Sequence, residues 1–168
     1  MKEYSIKSYN RSEYKKIKNE KEIYSSIGYF DFALCPFDNI LINDSYIMQS
    51  YDRPIHIYTK LKNKLLTNIT ISKLEVSDMY KNLSWYKTGK LIINFNSIIV
   101  IGNDECEFHN YPVSINLKRD MNNSLLKFIY LKNKNKINGI TFEVPKGEYN
   151  IYELLDDEYN QYAIFMQF

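Results

Sequence analysis

Cysteine, histidine, arginine, alanine and glycine are scarce in this chain of 168 residues, and each scarcity excludes something. The two cysteines, Cys35 and Cys106, are too few for a disulfide framework. The start, Met1 to Asn10, alternates charged and polar residues and lacks the apolar core of a secretory signal, so a reducing cytoplasm is the expected location. No run of about 18 uncharged apolar residues occurs, so neither a membrane-spanning helix nor a membrane partner is expected. The five glycines, Gly28, Gly89, Gly102, Gly139 and Gly147, stand singly, which removes both standard glycine-rich phosphate cradles. Three arginines (Arg11, Arg53, Arg119) and an isoelectric point near 8.3 fall short of the usual footprint of a nucleic-acid-binding domain.

What is present is ordinary in proportion and skewed in kind. Apolar residues make up 45% and charged residues 25%, enough apolar material to offset chain entropy, and the length fits a single domain over 1–168. Ile (22), Lys (19), Asn (19) and Tyr (16) supply 76 residues, while alanine appears only at Ala33 and Ala163. The abundant types use A/T-rich codons and the scarce ones G/C-rich codons. The skew points to an A/T-rich genome, such as a low-GC bacterium, its phage or a plasmid. Lysine and asparagine are therefore no nucleic-acid signal by themselves.

Chemistry-bearing residues gather in one place, Asp104-Glu105-Cys106-Glu107-Phe108-His109. Cys106 and His109 have a spacing that can share a zinc ion, with Cys35 and His56 completing a tetrahedron. Structural zinc sites use two close pairs, however, and only one pair is close here. A Cys106–His109 nucleophile pair is the rival enzymatic reading, with Asp104 beside it. Catalytic Cys and His are normally brought together by the fold, so the reading preferred is a buried thiol and a surface imidazole. Paired carboxylates at Asp104-Glu105 and Asp156-Asp157 lie in polar loops. No catalytic centre, metal or cofactor is expected.

The pattern along the chain is that of strands. Asn10 followed by Glu13 resembles a capping pair, and Tyr14, Ile17, Tyr24 and Ile27 fall near one face, so a helix is predicted over 11–26 with Gly28 as its left-handed cap. From Tyr29 the period changes to two. Strands are expected at Tyr29–Leu34, within Ile40–Met48, at Ile55–Tyr58, Thr67–Val76, Leu91–Ile101 (one long strand or a hairpin at Asn94–Ser97), Val113–Leu117, Leu125–Leu131, Ile140–Val144, Tyr149–Leu154 and Tyr162–Phe168. Ser77–Tyr80 reads as one helical turn. The fold class expected is mainly β, an antiparallel sandwich or flattened barrel with one N-terminal helix. Its core should hold Ile69, Ile71, Ile93, Ile99, Ile140, Val144, Ile151 and Phe165.

Charge comes in blocks. Residues 1–30 carry +3, 31–52 carry −4, 53–90 carry +6, 91–112 carry −3, 113–140 carry +5 and 141–168 carry −5. Opposite signs on adjacent strands neutralise one another across a sheet. The acidic run Glu153, Asp156, Asp157 and Glu158 reads further as a patch for a basic partner, with Tyr152 or Tyr159 as aromatic anchor. A competing reading interleaves Lys60, Lys62, Lys64, Lys73, Lys81, Lys87 and Lys90 with Tyr58, Tyr80, Trp85 and Tyr86 as a single-strand-binding sheet. No RNA-recognition signature, GxxG loop or helix-turn-helix pattern accompanies it.

The segment Ile137-Asn138-Gly139-Ile140-Thr141-Phe142-Glu143-Val144-Pro145-Lys146-Gly147-Glu148-Tyr149-Asn150-Ile151-Tyr152 resembles the C-terminal hairpin of the nuclease inhibitor family of competence protein J. It is also similar to small β-sandwich immunity proteins of bacterial toxin systems. Pro145 ends one strand, Gly147 supplies the turn and Tyr149 restarts alternation. The resemblance covers roughly the last 30 residues and carries over no functional residue. It implies a sandwich that binds and blocks a nuclease or another toxin without catalysis of its own. The function expected is thus an immunity protein with a cognate toxin or nuclease as partner. A phage-encoded inhibitor of a host defence nuclease, of anti-CRISPR type, is the alternative, and a single-stranded nucleic-acid-binding domain is the second. For the metal question the expected outcome is that purified protein holds no stoichiometric zinc. Cys106→Ala and His109→Ala should leave partner binding intact; loss of binding in either, with folding retained, would favour the metal or enzyme reading.

Overall fold

Alternation of apolar and polar residues becomes strands in the computed structural model, which describes residues 4–34, 37–42, 45–50, 55–62, 65–93, 97–102, 114–117, 127–130 and 137–168. In chain order the strands are β1 (Tyr4–Ser8), β2 (Lys15–Lys16), β3 (Tyr29–Leu34), β4 (Phe37–Ile42), β5 (Ser45–Ser50), β6 (Ile55–Lys62) and β7 (Leu65–Ser72). They continue as β8 (Ser84–Ile93), β9 (Ser97–Gly102), β10 (Ser114–Leu117), β11 (Lys127–Tyr130), β12 (Ile137–Val144), β13 (Gly147–Leu155) and β14 (Gln161–Gln167). Among the described residues one helix, α1 (Glu20–Ser26), lies between β2 and β3, and single 3-10 turns form at Arg11–Glu13 and Val76–Asp78. The latter is the helical turn expected near Ser77.

The strands form two antiparallel sheets. The larger runs β1-β8-β13-β14-β7-β6-β3, with β2 also paired to β8, and the smaller runs β10-β11-β12-β9-β4-β5. Apolar residues of the larger sheet gather on both its faces. On one, Ile55, Ile57, Ile69, Ile71, Leu91, Ile93, Ile151, Ile164 and Met166 cluster with Ile42, Met48 and Val144 of the smaller sheet. On the other, Tyr58, Trp85, Leu154, Ala163 and Phe165 cluster with Ile23 of α1 and with Met79. The consecutive buried residues Ala163, Ile164, Phe165 and Met166 alternate between the two clusters, because side chains along a strand point to opposite faces. Of the expected core, Ile69, Ile71, Ile93, Val144, Ile151 and Phe165 are buried. Ile99 and Ile140 fall in β9 and β12, and their side chains lie outside the described residues.

Four expectations are corrected. The helix over 11–26 is replaced by a 3-10 turn, an edge strand and a seven-residue helix. Asn10 and Glu13 do cap, with the Asn10 N–H donating to Glu13 Oε1 at 3.2 Å, but they close only one turn. Beyond it, the exposed edge of β8 offers backbone partners: Lys15 and Lys16 pair with Lys87 and Tyr86, and the Ile17 N–H donates to the Trp85 carbonyl at 2.9 Å. Sheet pairing wins over local helix preference there.

The stretch Leu91–Ile101 is neither one strand nor a hairpin, since β8 belongs to the larger sheet and β9 to the smaller. Likewise β12 and β13 do not pair with each other. Pro145 and Lys146 carry the chain from the smaller sheet to the larger, so the hairpin expected at residues 137–152 is a crossing between sheets. Gly147, at φ +154°, takes a backbone conformation that other residues rarely adopt, and the Tyr149 hydroxyl donates to the Pro145 carbonyl across the bend.

Gly28 is not a left-handed cap. The helix ends on Ile27 in extended conformation, and Gly28 is required by proximity, because a Cβ there would lie 1.9 Å from the Thr59 carbonyl oxygen. Gly28→Ala is expected to lower stability by at least about 2 kcal/mol, read by urea denaturation, because the backbone of β6 must move away. Wild-type stability in that variant would show that β3 and β6 do not approach this closely.

Candidate protein-docking site

The turn from β13 to β14 is built around one carboxylate. Asp156 Oδ1 accepts the backbone N–H groups of Glu158 and Asn160, each at 2.9 Å, and Oδ2 accepts the Asn160 side-chain amide at 3.0 Å and the Tyr162 hydroxyl at 3.3 Å. Its backbone is engaged too: the Tyr159 N–H donates to the Asp156 carbonyl at 3.0 Å, and the Asp156 N–H donates to the Asn160 carbonyl. The Asn160 side-chain amide, then the Asn160 backbone N–H, hold the Asp156 carboxyl below the ordinary aspartate value.

That network fixes Tyr159 in the left-handed region at φ 63°, a rare place for a bulky aromatic. Its side chain stays 38% exposed. Three groups brace the ring. The Arg11 guanidinium lies over it, 5.4 Å from the centroid, and Tyr14 and Tyr86 meet it edge-on, each at 5.9 Å. Tyr14 and Tyr86 are themselves 6.5 Å apart. Burial, then the Glu153 carboxylate, push the Tyr14 hydroxyl up, so it stays a neutral donor or acceptor throughout the physiological range. The Lys16↔Tyr86 register between β2 and β8 is what delivers Tyr14 to Tyr86.

The acidic run does not make one uniform face. Tyr152 and Glu153 are neighbours on β13 and point to opposite sides of the sheet. Tyr152 tilts against Phe165 at 6.0 Å, beside a groove of about 410 Å³ under α1. Glu153 accepts from the Gln161 side-chain amide, whose nitrogen also donates to the Ile47 carbonyl at 2.8 Å. Glu153 and Asp156 are thus engaged within the fold. Asp157, Glu158 and Tyr159 remain together at the exposed tip. Sequence reasoning did not place Arg11, Tyr14 or Tyr86 beside the acidic run: it read Tyr14 as part of a helix face and Tyr86 as part of the lysine-rich sheet. Nothing local links positions 11, 14, 86 and 159; the pairing of β2 and of β13 with β8 does.

The competing lysine sheet is taken apart. Trp85 and Tyr58 are buried, Tyr86 belongs to the tyrosine trio, and only Tyr80, 60% exposed and stacked on Tyr24 at 4.3 Å, stays open. Lys60 leans on the Ser25 carbonyl at 3.5 Å, and Lys64 lies outside the described residues. Cys35, Asp104, Cys106 and His109 also lie outside them, while His56 sits on β6 with its ring 6.5 Å from Tyr58. Among the described residues no three His, Cys, Asp or Glu side chains gather so as to hold a metal ion. No helix among them is long and apolar enough to cross a membrane. No family model, curated protein or solved structure matches this chain.

A carboxyl whose folded-state pKa is depressed contributes stability that is present above its unfolded value, near 3.8 here, and lost as pH falls through the folded value. Wild-type protein should therefore be more stable than Asp156→Ala at pH 6, with the gap in melting temperature narrowing below about pH 4. A gap that stays constant down to pH 2 would show that the carboxylate charge does not hold the turn.

Proposed function

We propose that this chain is a non-catalytic protein-binding inhibitor that neutralises a bacterial toxin or nuclease in the cytoplasm, as immunity proteins do. The observation that carries this reading is Tyr159. An exposed aromatic is held in a strained backbone conformation by the Asp156 network and braced by Arg11, Tyr14 and Tyr86. Strain of this kind persists only where the surroundings over-determine it, and it concentrates at functional positions. A rigid aromatic loses little conformational entropy on binding, which is what an interface anchor needs. Asp157 and Glu158 beside it supply charge that speeds encounter with a basic surface.

The fold detail belongs to the same proposal. The two sheets are read as the layers of a β-sandwich, supported by the shared cluster of Ile42, Met48 and Val144 with the isoleucines of β6 and β7. A sandwich edge of this kind offers a firm platform for an anchor carried on a turn. The phage-encoded version of the inhibitor uses the same face and differs only in target.

The test is a pull-down from the native host, with partners identified by mass spectrometry, followed by kinetics on the purified pair. Tyr159→Ala is expected to weaken the complex about 30-fold, corresponding to roughly 2 kcal/mol, mainly through faster dissociation. Asp157→Lys with Glu158→Lys should instead slow association several-fold, an effect that fades in high salt. Recovery of nucleic acid with no protein partner would end the inhibitor reading, as would a partner whose affinity ignores Tyr159→Ala.

A further inference from the structure

The stretch from the first 3-10 turn into α1 carries four lysines, Lys15, Lys16, Lys18 and Lys21, and three glutamates, each of which accepts a hydrogen bond. Glu13 accepts the Asn10 N–H, Glu20 accepts the Trp85 N–H at 3.1 Å, and Glu22 accepts the Asn19 side-chain amide at 3.2 Å. Pairing of β2 with β8 then sets Lys15 directly opposite Lys87. Like charges placed opposite each other in a ladder are destabilising. Across β8, the neighbour of Lys87 on β13 is Tyr152 and not an acid. Among the described residues none of these five lysines has an ion-pair partner. Lys16, Lys18 and Lys21 line an open groove of about 840 Å³, together with Ile17, Asn19, Ser84 and Glu20, so three ammonium groups face one carboxylate there, and that carboxylate is held by the Trp85 N–H.

We propose that the groove lined by Lys16, Lys18 and Lys21, flanked by the opposed Lys15 and Lys87, binds the phosphodiester backbone of a nucleic acid strand. Two features favour phosphate over an acidic protein segment. The groove offers Ile17 as its one apolar lining residue, and a protein interface needs a buried aromatic or aliphatic anchor. Backbone phosphates need only positioned cations, and lysine binds them as a point charge. Trp85 forms no part of the site, and neither do Lys60 and Lys62, so binding carries no base readout. The groove does not include Tyr159 and does not depend on the inhibitor reading, although Lys15 and Lys87 stand next in the chain to Tyr14 and Tyr86.

The experiment is fluorescence anisotropy with a fluorescein-labelled oligothymidylate of about 20 nucleotides, titrated between 50 and 200 mM NaCl. Three to five phosphate contacts give a slope of log affinity against log salt of about −2 to −3.5, a loss of roughly 20- to 100-fold over that range. Lys18→Gln with Lys21→Gln, both exposed and outside any strand, should keep the wild-type melting temperature and reduce the slope by more than one. Adding Lys15→Gln and Lys87→Gln should abolish binding at 200 mM. Lys60→Gln with Lys62→Gln, and separately Tyr159→Ala, should leave the titration unchanged. A wild-type slope shallower than −1 would overturn the proposal and leave the lysines as protection of a sheet edge. A poly-glutamate peptide of matched charge binding more tightly than the oligonucleotide would overturn it in favour of an acidic protein ligand.

Discussion

The architecture depends on the larger sheet having apolar clusters on both faces. A strand in that position cannot alternate apolar with polar, and β14 does not: Ala163, Ile164, Phe165 and Met166 are all buried, two on each face. Trp85 and Phe165 meet edge-to-face at 6.3 Å on the α1 side, and Tyr24 closes on Trp85 at 6.2 Å. A seven-residue helix has little stability of its own in water. It persists because Ile23 is buried against this aromatic group, so the helix is a product of the sheet and not a scaffold for it.

The second dependence is on the outer edge of β8. Residues 4 to 20 run along it almost without a break: β1 pairs over Gly89–Ile93, the Tyr9 N–H reaches the Thr88 carbonyl, β2 pairs over Tyr86 and Lys87, and Ile17 and Glu20 engage the Trp85 backbone. Gly89 permits this closeness, since a Cβ there would come within 2.6 Å of the Lys7 carbonyl. The same segment places Arg11 and Tyr14 against Tyr159 and lines the neighbouring groove with lysines. One edge-covering segment therefore positions both candidate surfaces.

Most strands were legible in the sequence because their signal is local. Ile55/Ile57, Ile69/Ile71 and the Pro145–Gly147 bend each announce themselves within a few residues. What was not legible is non-local. The helical spacing of Tyr14, Ile17 and Tyr24 is real, yet the backbone at Lys15–Lys16 is satisfied by β8, seventy or more residues away in the chain. Whether two successive strands pair or separate into different sheets has no short-range signature, which is why β8 with β9 and β12 with β13 look like hairpins in the sequence although each pair is divided between the two sheets. For the site, the acidic run was visible as composition. Its division into Glu153 and Asp156, engaged inside the fold, and Asp157 and Glu158, left at the tip, follows only from hydrogen bonds with Gln161, Asn160 and Tyr162.

That division bears on how such a turn can serve recognition at all. A loop tip rich in acids would ordinarily be mobile, and ordering it on binding costs affinity. Here Asp156 accepts from two backbone N–H groups and two side chains, so the turn is held by its own hydrogen bonds. The left-handed conformation of Tyr159 opposes this, at about 1–3 kcal/mol for a backbone of that kind. The ring recovers part through its contacts with Arg11, Tyr14 and Tyr86, which come from the N-terminal segment and from β8. The geometry of the tip is therefore not a property of the turn alone. It is fixed by three separate stretches of chain that meet through the two sides of β8, and the Tyr159 ring is held as firmly as that pairing.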